Sequence, residues 1–72
     1  MNLNLRLRIV RKYHHLSLKS VASTLNISVF RYFLYETGIV DFPAVHLIKL
    51  ALFYHTSTDY LLGLTDDPIP HK

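Results

Sequence analysis

Cysteine is absent from this chain, which excludes disulfides and thiolate metal sites. No apolar run approaches the roughly 20 residues needed to span a bilayer. The longest such run, residues 47–54, is interrupted by Lys49, and arginines occupy the N-terminal segment where a signal peptide would have its apolar core. Together these absences predict a cytoplasmic protein without a membrane segment.

Patterns that carry chemistry are also lacking. There is no glycine-rich phosphate loop, no pair of carboxylates in an apolar setting and no nucleophile beside a base. The adjacent His14 and His15 do not share a helix face, and His46 and His55 lie far apart along the chain. We therefore expect no metal site, no cofactor and no enzymatic activity.

The composition is that of one small globular domain with an uneven charge. The chain has 72 residues, and half of them are hydrophobic. Six of its eight lysines and arginines fall in residues 1–36, beside a single acid, Glu36. A basic half indicates a nucleic-acid partner, and an ordinary solvated helix face is the alternative.

The first half of the chain has the spacing and the capping residues of three helices. Leu3, Leu7 and Val10 fall on one side of a helix predicted over residues 3–14. Ser17 stands where an N-cap belongs, and Asn26 suits the left-handed turn that ends a second short helix. A third helix is predicted over residues 29–36. The remaining signals of this half are the inward Val21, Ala22 and Leu25, the buried anchor Ile27, the N-cap Ser28 and the terminating Gly38.

Two further helices follow a loop closed by Pro43, which suits the first turn of a fourth helix over residues 44–54. Ser57 or Thr58 caps a short fifth helix that stops at Gly63. The residues expected in the core are Leu47, Ile48, Leu50, Ala51, Leu52, Phe53, Tyr60, Leu61 and Leu62. For Leu52, Phe53 and residues 60–62 a dimer seam is the alternative. The prediction is an all-α domain over residues 1–65 and a polar, flexible tail over residues 66–72.

A short helix, a tight turn and a second short helix in mid-domain are typical of a helix-turn-helix. The segments that carry a closer resemblance are Leu16-Ser17, Val21-Ala22, Leu25-Asn26-Ile27-Ser28, Tyr35-Glu36-Thr37-Gly38 and Ser57-Thr58-Asp59-Tyr60-Leu61-Leu62-Gly63. In order and spacing they resemble the Cro/CI-type (XRE-like) regulators of bacteria and temperate phages, over residues 5–65. The resemblance implies a compact five-helix fold. It also implies an ion pair between Arg11 and Glu36, for which two solvated charges are the alternative.

The third helix departs from the family's pattern. The resemblance places Val29, Phe30, Phe33 and Leu34 at the positions that face DNA bases. At about 100° per residue these four lie on one side, opposite two tyrosines at core positions. Apolar side chains can touch a thymine methyl group and offer base edges no hydrogen bonds. We expect an exposed apolar patch of the kind that marks protein interfaces.

Contacts to phosphate are also fewer than in the family. Leu18 stands where these regulators usually have a glutamine, and Asp41 lies in a loop that is usually basic. The residual DNA contacts implied by the resemblance are Lys19, Ser28 and Arg31. Because phosphate contacts supply most non-specific affinity, DNA binding by the chain alone is expected to be weak or absent.

In these details the chain resembles small phage antirepressors of the same family. That resemblance implies a partner, the N-terminal DNA-binding domain of a CI-type phage repressor, which the antirepressor would keep off its operator to control the lytic/lysogenic switch. The predicted protein-binding surface consists of Val29, Phe30, Phe33, Leu34, Ile39, Val40, Asp41 and Phe42. Asp41 and Glu36 would then meet cations of the repressor.

Several alternatives stay open. The first is a Cro-like DNA-binding repressor, with Lys19 and Arg31 on phosphates and the apolar side on thymine methyls. Others are an interaction module unrelated to phage switching and self-association through the apolar side. A rotated third helix that buries Phe30 or Phe33 would remove the patch. Salt dependence separates a DNA binder from an apolar protein interface.

Overall fold

The computed structural model describes residues 2–67 and 69. Over these residues the chain forms the five predicted helices and no strand: α1 (Leu3–Tyr13), α2 (Leu18–Leu25), α3 (Val29–Thr37), α4 (Ala44–Tyr54) and α5 (Thr58–Leu61). The all-helical prediction is confirmed, and each boundary lies within one or two residues of its predicted place. No helix in this described part has the length and apolarity that crossing a membrane requires.

Polar side chains fix where the helices begin. The Oγ of Ser17 accepts a hydrogen bond from the backbone N–H of Ser20 at 3.0 Å, and the Oγ of Ser28 accepts one from that of Arg31 at 3.1 Å. Each satisfies a backbone donor that the first turn of a helix leaves without an intrahelical partner. Pro43 differs slightly from its prediction, because it is the N-cap residue of α4 rather than part of its first turn.

Two left-handed residues fix the ends of α2 and α3. Asn26 adopts φ 61° and Gly38 adopts φ 83°, the conformation that commonly ends a helix. The turn between α2 and α3 is residues 26–28, in which the Ile27 N–H donates to the carbonyl oxygen of Ala22 at 3.0 Å. This short turn sets α3 at a fixed angle to α2, as in a helix-turn-helix.

The core lies where α1, α2, α3 and α5 meet the inner side of α4. Its largest fully buried side chains are Leu7, Val21, Leu25, Tyr32, Leu50 and Leu61. The α4 predictions need correction. Ile48 is 54% exposed and Leu52 is 72% exposed, and Phe53 is also exposed. Leu50, Ala51 and Tyr54 set the inward side of α4, and at about 100° per residue this turns Ile48 and Leu52 outward. Leu62, predicted inward after α5, is exposed as well.

A buried arginine joins the segment after α5 to α1. The Nη2 of Arg6 donates to Oδ1 of Asp66 at 3.0 Å, and the guanidinium lies 4.1 Å from the ring centroid of Tyr60. The first residue of the predicted flexible tail is thus in contact with the domain. Residues 68 and 70–72 of that tail lie outside the described residues.

Candidate functional site

The outward side of α3 is apolar. The helix packs on α1 and α2 through Tyr32 and Tyr35, both buried. Val29, Phe30 and Phe33 then point away from the core, and Phe30 is 68% exposed. We call these three side chains the apolar face. The rotated arrangement, with Phe30 or Phe33 in the core, is absent from the structure because the two tyrosines already fill that position.

The rest of the predicted binding surface is narrower than expected. Leu34 is half-buried. In the loop after α3, Ile39 and Asp41 are exposed, whereas Val40 and Phe42 are half-buried and pack against the core. Phe42 meets the Tyr35 ring edge-on, with centroids 5.0 Å apart. Outward and inward residues alternate along an extended backbone. The alternation of residues 39–42 was therefore the sequence signal that could have predicted which of these side chains are exposed.

The polar groups that border the apolar face are already engaged. Ser28 caps α3 through its Oγ. The Oγ1 of Thr37 donates to the carbonyl oxygen of Leu34 at 2.8 Å. The outward side of α3 therefore meets a partner mainly through carbon atoms.

Exposed cations lie on α3 and on the two helices packed against it. Lys19 on α2 and Arg31 on α3 are both exposed, as are Arg8 and Lys12 on α1. Within residues 2–67 none of these four takes part in an ion pair. Sequence reasoning missed Arg8 as a candidate contact. The available signal was its position four residues before Lys12, which places both on one side of α1.

Arg31 lies away from the centre of the apolar face. Burial first, and then the charges of Lys49 and Arg31, lower the pKa of His46 below its usual value. At about 100° per residue, Arg31 lies about 100° around α3 from Phe30 and about 160° from Phe33. In this position it is better placed for the edge of a bound molecule than for its middle.

Two clefts flank the apolar face, and each is lined in part by an exposed cationic side chain. One, of about 270 Å³, is lined by Arg8 and Arg11 of α1 together with Leu18 and Phe33. The other, of about 450 Å³, lies between α2 and α3 and includes Lys19, Ser28 and Val29. A partner in contact with Phe33 and Val29 would thus meet a positively charged side chain of this protein on either side of the contact.

Arg11 and Glu36 form the ion pair that the family resemblance implies. The Nε of Arg11 lies 2.8 Å from Oε2 of Glu36, and its Nη2 donates to Oε1 at 3.2 Å. The side chains are 11% and 6% exposed. The hydrogen bond to Glu36 raises the pKa of Arg11. Because Nη1 of Arg11 also donates to the carbonyl oxygen of Leu16 at 2.9 Å, the pair fixes α3 against both α1 and the start of α2.

Tyrosine hydroxyls lie close to this ion pair. Burial, followed by the negative charge of Glu36, raises the pKa of Tyr32. The same two causes raise the pKa of Tyr54 to about 12. The Glu36 carboxylate is therefore occupied by its ion pair with Arg11 and is not free to contact a repressor's cations. Over the described residues no three histidine, aspartate or glutamate side chains converge into a metal-binding group.

Comparison with known proteins finds similarity to a helix-turn-helix transcriptional regulator. The chain is 43% identical over 65 residues to an uncharacterized HTH-type transcriptional regulator, YobD, of Bacillus subtilis. The match covers 90% of this chain and 58% of that relative, so the chain spans little more than half of the relative's length. No family model and no solved structure matches the chain. The five-helix fold is that of a helix-turn-helix domain, and over these 65 residues the chain is similar to an HTH-type transcriptional regulator.

Proposed function

We propose that this helix-turn-helix chain is a DNA-binding domain of a transcriptional regulator and that it sets α3 in the major groove. The observation that carries the proposal is a set of four exposed cations on α3 and the two helices packed against it, with no ion pair among the described residues: Arg8 and Lys12 on α1, Lys19 on α2 and Arg31 on α3. Cations left without protein partners on one side of a domain are what phosphate binding requires.

The charge of this surface favours DNA over a repressor as its partner. A repressor's own DNA-contacting surface is cationic, because it too binds phosphates. Bringing it against Arg8, Lys19 and Arg31 would juxtapose like charges, which costs free energy and slows association. Asp41 is the one exposed acid in the loop beside the apolar face, and Glu36 is buried with Arg11. The comparison with a transcriptional regulator supports the same choice.

The chain should bind DNA modestly when alone. Four phosphate contacts would give a slope of about −3.6 in a plot of log affinity against log salt concentration, because each contact contributes about −0.9. Non-specific affinity at physiological salt should fall within the usual dissociation constants of about 10⁻⁴–10⁻⁶ M. The expected affinity is modest because Leu18 supplies no polar side chain for a phosphate at the start of α2.

Fluorescence anisotropy of a labelled random-sequence duplex tests the proposal at several salt concentrations. The double variant Lys19→Gln/Arg31→Gln should reduce the magnitude of the salt slope by about 1.8, because two phosphate contacts are removed. The matched control Lys19→Arg/Arg31→Lys keeps both charges and should keep the slope. Absence of binding at low salt, or equal slopes for the two double variants, would contradict DNA binding through this surface.

A second candidate function rests on the exposure of the apolar face. Phe30 is 68% exposed, and exposed aromatic side chains often anchor protein interfaces. The candidate is an antirepressor that docks this face on the N-terminal domain of a CI-type phage repressor. Adding the chain to a repressor–operator complex would then release the operator, while the chain alone leaves the operator unbound. Phe30→Asp should abolish the release, and persistence of the release in that variant would exclude this docking mode.

A further inference from the structure

We infer that the apolar face reads methyl groups of the major groove, so that the chain prefers thymine-rich or 5-methylcytosine-containing DNA to unmethylated G·C sequence. The inference rests on the proposed function and adds to it the class of sequence recognised. It starts from an unusual feature of α3, which has carbon-rich side chains at the positions of a recognition helix.

The position of the apolar face fits groove contact. Val29 and Phe30 form the first turn of α3, and Phe33 follows one turn later on the same side. The N-terminal residues of the second helix of a helix-turn-helix are the ones that reach base edges. Phe30, the most exposed of the three, therefore extends furthest towards the floor of the groove.

Hydrogen-bond reading of bases is poorly supported on this side of α3. Ser28 accepts a backbone hydrogen bond as the cap of α3, Thr37 donates its hydroxyl to the backbone, and Arg31 lies about 100° around the helix from Phe30. Any base in contact with Phe30 must therefore be distinguished by its apolar groups. In the major groove the prominent apolar group is the C5 methyl of thymine, and the other base atoms there are mostly hydrogen-bond donors and acceptors.

Charge complementarity identifies the molecule that covers the apolar face. Arg8 lines the cleft beside Phe33, and Lys19 lines the cleft beside Val29. The two phosphate backbones that border the major groove would meet one cation each while the apolar face enters between them. A wholly apolar protein partner would leave both charges without a counterpart.

Uracil and thymine differ only in the methyl group, which gives a direct test. A duplex selected from a random pool for binding the intact chain would be prepared again with deoxyuridine in place of thymidine. Affinity should fall about fourfold for each methyl group that the apolar face buries, and thus about sixteenfold for two. A G·C-rich duplex should gain affinity when its cytosines carry a C5 methyl group.

The variant Phe30→Ala should lose most of the preference for the thymine duplex over the uracil duplex, because Phe30 is the most exposed side chain of the apolar face. It should fold normally, because the side chain is mostly exposed. Leu52→Ala removes a side chain that is 72% exposed on α4 and should keep the full preference for thymine. It is therefore the matched control.

The possible outcomes separate the inference from the function on which it rests. Loss of affinity on thymine removal that is reduced in Phe30→Ala supports methyl reading. Equal binding of both duplexes by the wild-type chain overturns methyl reading and leaves DNA binding intact. A preference of unchanged size in Phe30→Ala also overturns it, because DNA stiffness or residues outside the apolar face then cause the preference. Failure to bind any duplex overturns both.

Discussion

Replacing Glu36 by glutamine should destabilise the fold strongly, because it leaves the buried Arg11 guanidinium without a counter-charge. The carboxylate is 6% exposed and accepts two hydrogen bonds from Arg11, at 2.8 and 3.2 Å. Removing one partner of a buried ion pair costs about 3–5 kcal/mol. Glutamine retains one acceptor oxygen, so we expect about 3 kcal/mol. For a domain of this size that corresponds to a fall in Tm of roughly 12–24 °C.

Urea unfolding followed by circular dichroism measures this loss. Asp41→Asn is the matched control, because Asp41 is exposed and has no ion pair among the described residues. A double variant, Arg11→Met/Glu36→Met, should recover much of the lost stability, since replacing a buried pair by apolar residues is often neutral. If Glu36→Gln shifts the unfolding midpoint no more than Asp41→Asn does, the ion pair does not hold α1 to α3.

Three further perturbations test local features. Gly38→Ala should cost about 1–2 kcal/mol in urea unfolding, because φ is 83° and a Cβ would meet the Asn4 side chain; Asn4→Ala in the same chain should restore only the part due to that contact. Ser28→Ala should cost about 1 kcal/mol by loss of the α3 N-cap, and no change would contradict the cap. Tyr54 has a folded-state pKa of about 12 against 10.0 when unfolded, so stability should fall from pH 10 to pH 12 as the unfolded tyrosine loses its proton first. Tyr54→Phe should flatten that fall, and an unchanged pH profile would exclude this cause.

The helix boundaries could be predicted because local chemistry determines them. Ser17 and Ser28 cap their helices through their own hydroxyls, and Asn26 and Gly38 adopt the left-handed conformation expected of them. None of these features requires knowledge of the tertiary fold. Outward exposure of Phe30 could be predicted for a related reason, because two tyrosines on α3 mark the opposite side as the core.

The orientation of α4 could not be predicted in the same way. Apolar residues surround most of this helix, so periodicity alone does not select which side faces the core. Ile48 was expected inward and is exposed, because packing of Leu50 and Tyr54 against other helices decides the rotation. The contact between Arg6 and Asp66 was also missed, since it joins residues sixty positions apart through tertiary structure.

The exposed apolar residues of the candidate site could be predicted from the sequence. The net charge around them could be assigned only from the structure. Sequence placed Phe30 and Phe33 on an exposed side of the third helix, and they lie there. Glu36 was expected to face a partner's cations and is instead buried with Arg11. With that acid removed from the surface, the surroundings of the apolar face are more positive than the sequence suggested, which supports the proposal of DNA as the partner.

Mapping the DNA-contacting surface by nuclear magnetic resonance tests the central claim most directly. An isotope-labelled sample of the chain would be titrated with the selected duplex, and the backbone amide shifts followed residue by residue. DNA binding through α3 should give the largest changes at the start of α3, from Ser28 to Arg31, and around Lys19, with little change on the outward side of α4 at Leu52. Changes centred on α4, or none at saturating DNA, would contradict it.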